Sequence, residues 1–259
     1  MDYVEYQKKD KIAYIMLDRS EYNPINYEMV DELDVIWKDF QKDDQLFVAI
    51  MGSNHKNFSV GFDIVELKEK IFAKGNFCWS KSAQFGSKRH CPDIQSVKKP
   101  IVAAIDGIVN GGAMWLFLQS DIRVATSKAV FGLAEGKLNF PVEFTGFLTR
   151  YMPRAIINEM LLSGKNITAK RFYEMGIVNK IVKQEDLMGE AVKFAKNIIE
   201  SGPISLRIMK ELVHYGYEMD YHGLMALSSN MIVPVVNSKD TRDAINSFLE
   251  KRKPVWKTK

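Results

Sequence analysis

A chain of 259 residues that is 46% hydrophobic and 26% charged has the make-up of a globular protein with one sizeable core, or one core and a small appendage. Its formal net charge of +4 is too small to signal a nucleic-acid surface, which shows as a strongly clustered basic face. The start, Met1-Asp2-Tyr3-Val4-Glu5, is acidic and lacks the apolar stretch of a signal peptide, and no apolar run approaches the roughly 18 residues of a membrane span, so a cytoplasmic protein with no nucleic-acid or membrane partner is expected.

In chain order, residues 11–17 (Lys-Ile-Ala-Tyr-Ile-Met-Leu) are predicted as a strand. Residues 27–41 follow as an amphipathic helix, with Val30, Leu33, Ile36, Trp37 and Phe40 at three-to-four spacing. Short apolar runs at 46–51 and 101–105 read as buried strands, and 122–125 as a fourth. Between the last two, residues 112–119 are almost wholly apolar, which predicts a helix buried on all sides. Strands alternating with helices indicate an α/β domain. Beyond residue 150 the pattern becomes helical, at 154–163, 168–175, 185–200, 203–216 and 219–231, with one short strand at 177–182.

Residues 68–99 mix lysines and Arg89 with Phe72, Phe77, Trp79 and Phe85. Such a mixture suits either a nucleic-acid surface or a helix with one packed and one solvated face; the small net charge favours the second. Cys78 and Cys91 have no metal-ligand spacing and are expected as free thiols. None of His55, His90, His214 and His222 has a second ligand at metal spacing, so no metal is expected.

Two stretches carry the signature of a strand-to-helix turn. Phe58-Ser59-Val60-Gly61-Phe62-Asp63-Ile64 leads into a helical pattern, and Asp106-Gly107-Ile108-Val109-Asn110-Gly111-Gly112-Ala113 opens the apolar helix. Glycine lets the backbone turn tightly and approach a ligand closely, and the first amides of a helix are unsatisfied donors. Each alone is a plain packing turn. Converging on one oxygen, two such turns would make an oxyanion hole.

Further short motifs accompany these turns: Leu17-Asp18-Arg19, Asn23-Pro24-Ile25-Asn26, Lys98-Lys99-Pro100, Leu162-Ser163-Gly164 and Phe248-Leu249-Glu250-Lys251-Arg252. In this order and spacing the chain resembles the crotonase, or enoyl-CoA hydratase/isomerase, family from end to end. The resemblance implies a β/α spiral core, placed at 1–195, and a helical C-terminal trimerisation region at 196–259. A homotrimer or homohexamer is therefore expected. It further implies oxyanion amides at Val60 and Gly112, with substrate contacts at Arg19, Ser59, Asp63, Ile64, Gly111, Trp115 and Pro141. His90 and Trp79 fall in the region that often shapes the acyl pocket. The substrate would be a thioester of coenzyme A or of an acyl carrier protein, with no further cofactor.

Hydratases of this family use two glutamates. Trp115 occupies the first position and Glu135 the second. Tryptophan offers only an N–H donor and cannot exchange a proton with water. A single carboxylate suffices to carry a proton between C2 and C4 of an enoyl thioester, so double-bond isomerisation by Glu135 is the expected reaction. Glu143 is a candidate second acid or base. Hydration, dehydration or decarboxylation on the same enolate is the alternative, and a non-catalytic acyl-CoA binder a further one.

Overall fold

The computed structural model describes residues 1–72 and 94–257. The lysine-and-aromatic stretch beyond residue 72, with Trp79, Cys78, His90 and Cys91, lies outside the described residues.

A six-stranded sheet forms the frame. Its strands are β1 (Val4–Lys9), β2 (Ile12–Leu17), β3 (Val48–Ser53), β4 (Ile101–Ile105), β6 (Ile122–Thr126) and β9 (Lys180–Val182), in the order β1-β2-β3-β4-β6-β9. The β1–β2 pair is antiparallel and every later pair parallel. Alternation of side chains divides the central strands between two cores. Ala13, Ile15, Ala49, Met51, Ile101 and Ala103 face one core, while Ile12, Val48, Ile50 and Val102 face the other. Both faces are covered, which is why these strands read as continuous apolar runs.

Helix α1 (Tyr27–Lys42) covers the first face. Asn26 caps it by accepting the Met29 N–H at 3.0 Å. Met29, Val30, Leu33, Ile36, Trp37 and Phe40 are buried, and full burial of such side chains contributes roughly 1.5–3 kcal/mol each. The helix ends where the fully buried Lys99 donates to the carbonyls of Phe40 and Asp43, both at 2.7 Å. Helix α6 (Leu187–Ile199) covers the second face through Ala191 and Ala195.

A smaller three-stranded sheet stands beside the first. It pairs β5 (Ile108–Asn110) with β7 (Val130–Gly132) in parallel, and β7 with β8 (Ile167–Thr168) antiparallel. Between β5 and β6 runs α3 (Gly112–Gln119), apolar all round as expected. Its last carbonyls, at Phe117 and Leu118, accept from the Arg123 guanidinium at 3.1 and 2.9 Å. The remaining α-helices among the described residues are α2 (Ile64–Phe72), α4 (Arg154–Ser163), α5 (Ala169–Glu174), α7 (Pro203–Tyr215), α8 (Tyr221–Val236) and α9 (Lys239–Leu249).

The elements depart from expectation at several points. The strand predicted at 177–182 is formed only over Lys180–Val182, because the Ile177 and Val178 amides close the end of α5 on the Phe172 carbonyl. The helix predicted from 185 begins as a 3-10 turn at Gln184–Asp186 and becomes α-helical at Leu187. Strands β1, β5, β7 and β8 and helix α9 had no prediction. The strands of the small sheet are too short, at 3, 3 and 2 residues, to show a period of their own.

Candidate active site

Strand β5 holds the site together. On one side Ser59 forms a single parallel bridge to Val109: the Ser59 N–H donates to the Ile108 carbonyl and the Asn110 N–H to the Ser59 carbonyl, each at 3.0 Å. On the other side β5 pairs with β7 so that Asn110 faces Gly132, and the Gly111 N–H donates to the Gly132 carbonyl at 3.1 Å. Three residues after Gly132 the chain reaches Glu135. The turn at 58–63, the turn at 110–112 and Glu135 are thus brought to one place by β5.

The two turns touch through their glycines. Gly61 has φ +90°, and a Cβ added to it would stand 2.7 Å from the Asn110 carbonyl oxygen and 2.9 Å from the Gly112 nitrogen. Gly111 has φ +58°, and a Cβ there would stand 2.6 Å from Glu135 Oε1. Gly61 therefore excludes a side chain on conformation and on space, and Gly111 on conformation, while a side chain there would also displace the Glu135 carboxylate. Gly112 opens α3, and its N–H has no acceptor among the described residues, as the first turn of a helix allows.

The donor expected at Val60 is engaged elsewhere: its N–H donates to the Tyr22 carbonyl at 3.0 Å. That expectation is revised. Residues 22–25 form a rail along this turn, with Ile25 N–H to the Gly61 carbonyl at 2.7 Å and Asp63 N–H to the Ile25 carbonyl at 2.9 Å. These two bonds make Phe62 the bridge partner of Ile25 in parallel pairing. In such a pair the neighbours of the bridging residue bond to the partner strand, while its own N–H points the opposite way. The Phe62 amide thus faces away from the rail, and its ring lies against Gly112, 3.1 Å from where a Cβ would stand.

Ser59 is fully buried, and its hydroxyl donates to the Asn23 carbonyl at 2.7 Å and accepts from the Gly61 N–H at 3.0 Å, so the substrate contact expected of it is replaced by a structural one. Arg19 and Asp63 are paired with each other at 2.7 Å. The same guanidinium donates to the Pro24 carbonyl at 2.6 Å, and Asp63 caps α2 through the Val65 and Glu66 amides. These two residues clasp the site's edges together. Ile64, at the start of α2, is 58% exposed, and Pro141 is exposed in the loop after the Glu135 turn.

Glu135 begins a 3-10 turn (Glu135–Leu138) that the left-handed Asn139 terminates. Its Oε2 is buried and has no hydrogen-bond partner. Burial raises its pKa above the usual carboxylate range, partly offset by a hydrogen bond from its own backbone N–H. Such a group holds or releases a proton more readily near neutral pH than an ordinary glutamate does.

Trp115 lies one helical turn beyond Gly112, partly exposed and packed on the aromatic rings of Phe144 (5.3 Å between centroids) and Phe147 (6.4 Å). Both phenylalanines come from a second 3-10 helix, Glu143–Arg150. At the position where the resemblance places the first hydratase glutamate, Trp115 stands in an aromatic wall. The Glu143 side chain lies outside the described residues. The roles of Phe62, Asn23, Phe144 and Phe147 had not been read from the sequence. Only the Asn23-Pro24 motif and the three-residue spacing of the two phenylalanines gave a signal.

Fold and site together define an α/β protein in which two glycine turns and one half-buried carboxylate converge. The chain matches the enoyl-CoA hydratase/isomerase family over residues 7–259. It is 32% identical to carnitinyl-CoA dehydratase of Escherichia coli (strain K12), with 96% of each chain covered. It is 28% identical to short-chain-enoyl-CoA hydratase of Clostridium acetobutylicum, covering 95% of this chain and 94% of that one. The crystal structure of an enoyl-CoA hydratase/isomerase from Mycobacterium paratuberculosis superposes with a TM-score of 0.90 at 22% identity, covering 100% of this chain and 99% of that one, which shows the shared fold. The chain belongs to the enoyl-CoA hydratase/isomerase family and is an enzyme of that family.

Proposed function

We infer that this enzyme shifts the double bond of an enoyl thioester, with Glu135 as the single proton carrier. The observation that carries this reading is the pairing of one half-buried carboxylate at the glycine turns, its Oε2 enclosed and without a hydrogen-bond partner, with an aromatic wall at Trp115. The Glu135 carboxylate takes a proton from C2 of a 3-enoyl thioester, and the electron pair moves onto the thioester oxygen. The Gly112 and Phe62 N–H groups stabilise that dienolate oxygen, the kind of contribution that is often the largest in such sites. Glu135 then returns the proton to C4, giving the 2-enoyl product with no change of mass. The chemistry asks for no metal or redox group. A coenzyme A thioester is the substrate type that fits the family, and an acyl-carrier-protein thioester would present the same reacting atoms. Glu143, one residue before Phe144, is the nearest acid in sequence for a second proton-transfer role.

A lyase reading is favoured by the two relatives named as a hydratase and a dehydratase. Incubation with 3-enoyl-, 2-enoyl- and 3-hydroxyacyl-CoA, followed by mass spectrometry, separates the readings. Isomerisation without mass change supports the first; gain or loss of water replaces it with the second. Glu135→Gln is expected to slow isomerisation by about 10²–10⁴-fold, and full activity in that variant overturns the mechanism.

Assembly is part of the same reading. Helix α8 buries none of its residues, and Tyr221, Met225, Ile232, Val233 and Val236 are all exposed. Apolar surface of this extent marks an interaction face, and a homotrimer or a dimer of trimers would cover it. Light scattering that finds a stable monomer at micromolar concentration contradicts this.

A further inference from the structure

Asn23 is fully buried in the left-handed region, with φ +43°, directly before Pro24. Residues before proline are pushed towards extended backbone, so this conformation is held against its local preference. What holds it is a complete set of bonds. Its Oδ1 accepts the Arg19 N–H at 2.7 Å. Its Nδ2 donates to Ser53 Oγ at 2.7 Å and lies 3.1 Å from the carbonyls of both Asn57 and Phe58. Its own carbonyl accepts from Ser59 Oγ, which in turn receives the Gly61 N–H.

These bonds tie three things together: the edge of β3 at Ser53, the residues entering the first glycine turn, and the rail at 22–25 against which that turn is laid. The rail carries the bonds to Val60, Gly61 and Asp63, so its position sets where the Phe62 amide points. Among the described residues the Asn23 amide makes the side-chain link between the rail and both Ser53 and the carbonyls of Asn57 and Phe58.

We propose that Asn23 is a positioning residue for the oxyanion site: its buried amide, together with the Ser59 hydroxyl that links its main-chain carbonyl to the Gly61 N–H, sets the height of the Phe62 N–H relative to the Gly112 N–H. The proposal rests on the reading that these two amides meet a thioester oxygen. Asn23 touches no substrate; it acts through the turn. A donor displaced by about 1 Å loses rate by up to about 10²-fold, while substrate held by contacts elsewhere keeps its affinity.

The test uses acetoacetyl-CoA bound to the full-length enzyme, with its enolate followed by ultraviolet absorbance across pH. An intact oxyanion site makes the bound ligand more acidic than the free one. Asn23→Gly keeps the left-handed backbone accessible and removes only the amide. The expected result is a loss of about tenfold or more in the acidity gained on binding, together with a similar loss in kcat and less than a threefold change in KM. Ser59→Ala breaks only the hydroxyl link, so it provides a variant that still folds should Asn23→Gly fail to, and it should shift both quantities the same way by less.

The outcomes are distinct. If the wild-type enzyme fails to acidify acetoacetyl-CoA, the oxyanion reading itself falls. If the wild type does so and both variants match it, the turn is positioned without Asn23 and the proposal is overturned. A lowered melting temperature with unchanged ligand acidity also overturns it, since that is the mark of a purely structural role.

Discussion

The two sides of the site are built in opposite ways. On one side Gly61, Gly111 and Gly112 have no side chains, and the backbone comes close enough that an added Cβ at Gly61 or Gly111 would meet an atom within 2.7 Å. On the other side Trp115, Phe144 and Phe147 fill space with three rings. The glycine side exposes polar backbone where charge can develop; the aromatic side offers almost no polar group. Glu135 lies against the glycine side, its Oε1 beside Gly111. On the proposed function the contrast separates two tasks: the backbone would select the intermediate, and the wall what that intermediate can react with.

The largest effect is expected from filling the glycine side. Gly61→Ala forces a Cβ against the Asn110 carbonyl and the Gly112 nitrogen at a φ of +90°. It should cost about 3 kcal/mol or more of stability and at least about 10²-fold in kcat. Chemical denaturation and steady-state kinetics measure both, and near-wild-type values would show that the turns are not in contact.

Opening the aromatic side should act more through packing and product than through rate. Trp115→Ala is expected to cost about 2–4 kcal/mol, less than a fully buried tryptophan would. Trp115→Glu restores the second carboxylate of the two-glutamate pattern, and a hydrated product should become detectable by mass. A variant that folds, isomerises and never hydrates would show that the wall is not what excludes water chemistry.

The smallest effect separates the charge of Glu135 from its shape. Its pKa is raised by burial, so the folded state favours the protonated form. Such a group contributes its stability below the ordinary glutamate range and loses it as pH rises through the raised folded value. Glu135→Gln should therefore match the wild type in acid and become more stable than it, by on the order of 1 kcal/mol, above neutral pH. Thermal melts at acid and mildly alkaline pH read the difference. A variant less stable at every pH would mean that hydrogen bonding to the carboxylate outweighs the cost of its burial.

Much of this was legible in the residues. The continuous apolar runs of β3 and β4, the three-to-four spacing of α1 and the all-round apolar α3 each report burial directly, because their periods come from local geometry. Each glycine turn was legible for the same reason, since glycine is required wherever left-handed backbone or close approach occurs, but their contact was not, because it is made by residues about fifty positions apart. Helix α9 (Lys239–Leu249) was not predicted: its apolar stripe of Ala244, Ile245, Phe248 and Leu249 is short, and in the single chain Ile245, Phe248 and Leu249 stay exposed while Asp240 and Ser247 are buried.

The sequence by itself determined the α/β class and the glycine turns, and its resemblance to the family singled out Glu135 and the Trp115 that stands at the other glutamate position. Only the tertiary structure decided which way each amide points. Val60 and Phe62 differ by two positions in one short loop, yet the rail at 22–25 takes the first and turns the second away. The physical reason is that a hydrogen-bond donor is spent by whatever acceptor lies nearest, and that acceptor, the Tyr22 carbonyl, is 38 positions distant along the chain. The same holds for Arg19 and Asp63, which suit a ligand in sequence and pair with each other in the fold, and for Ser59, whose hydroxyl is taken up by the Asn23 carbonyl and the Gly61 N–H.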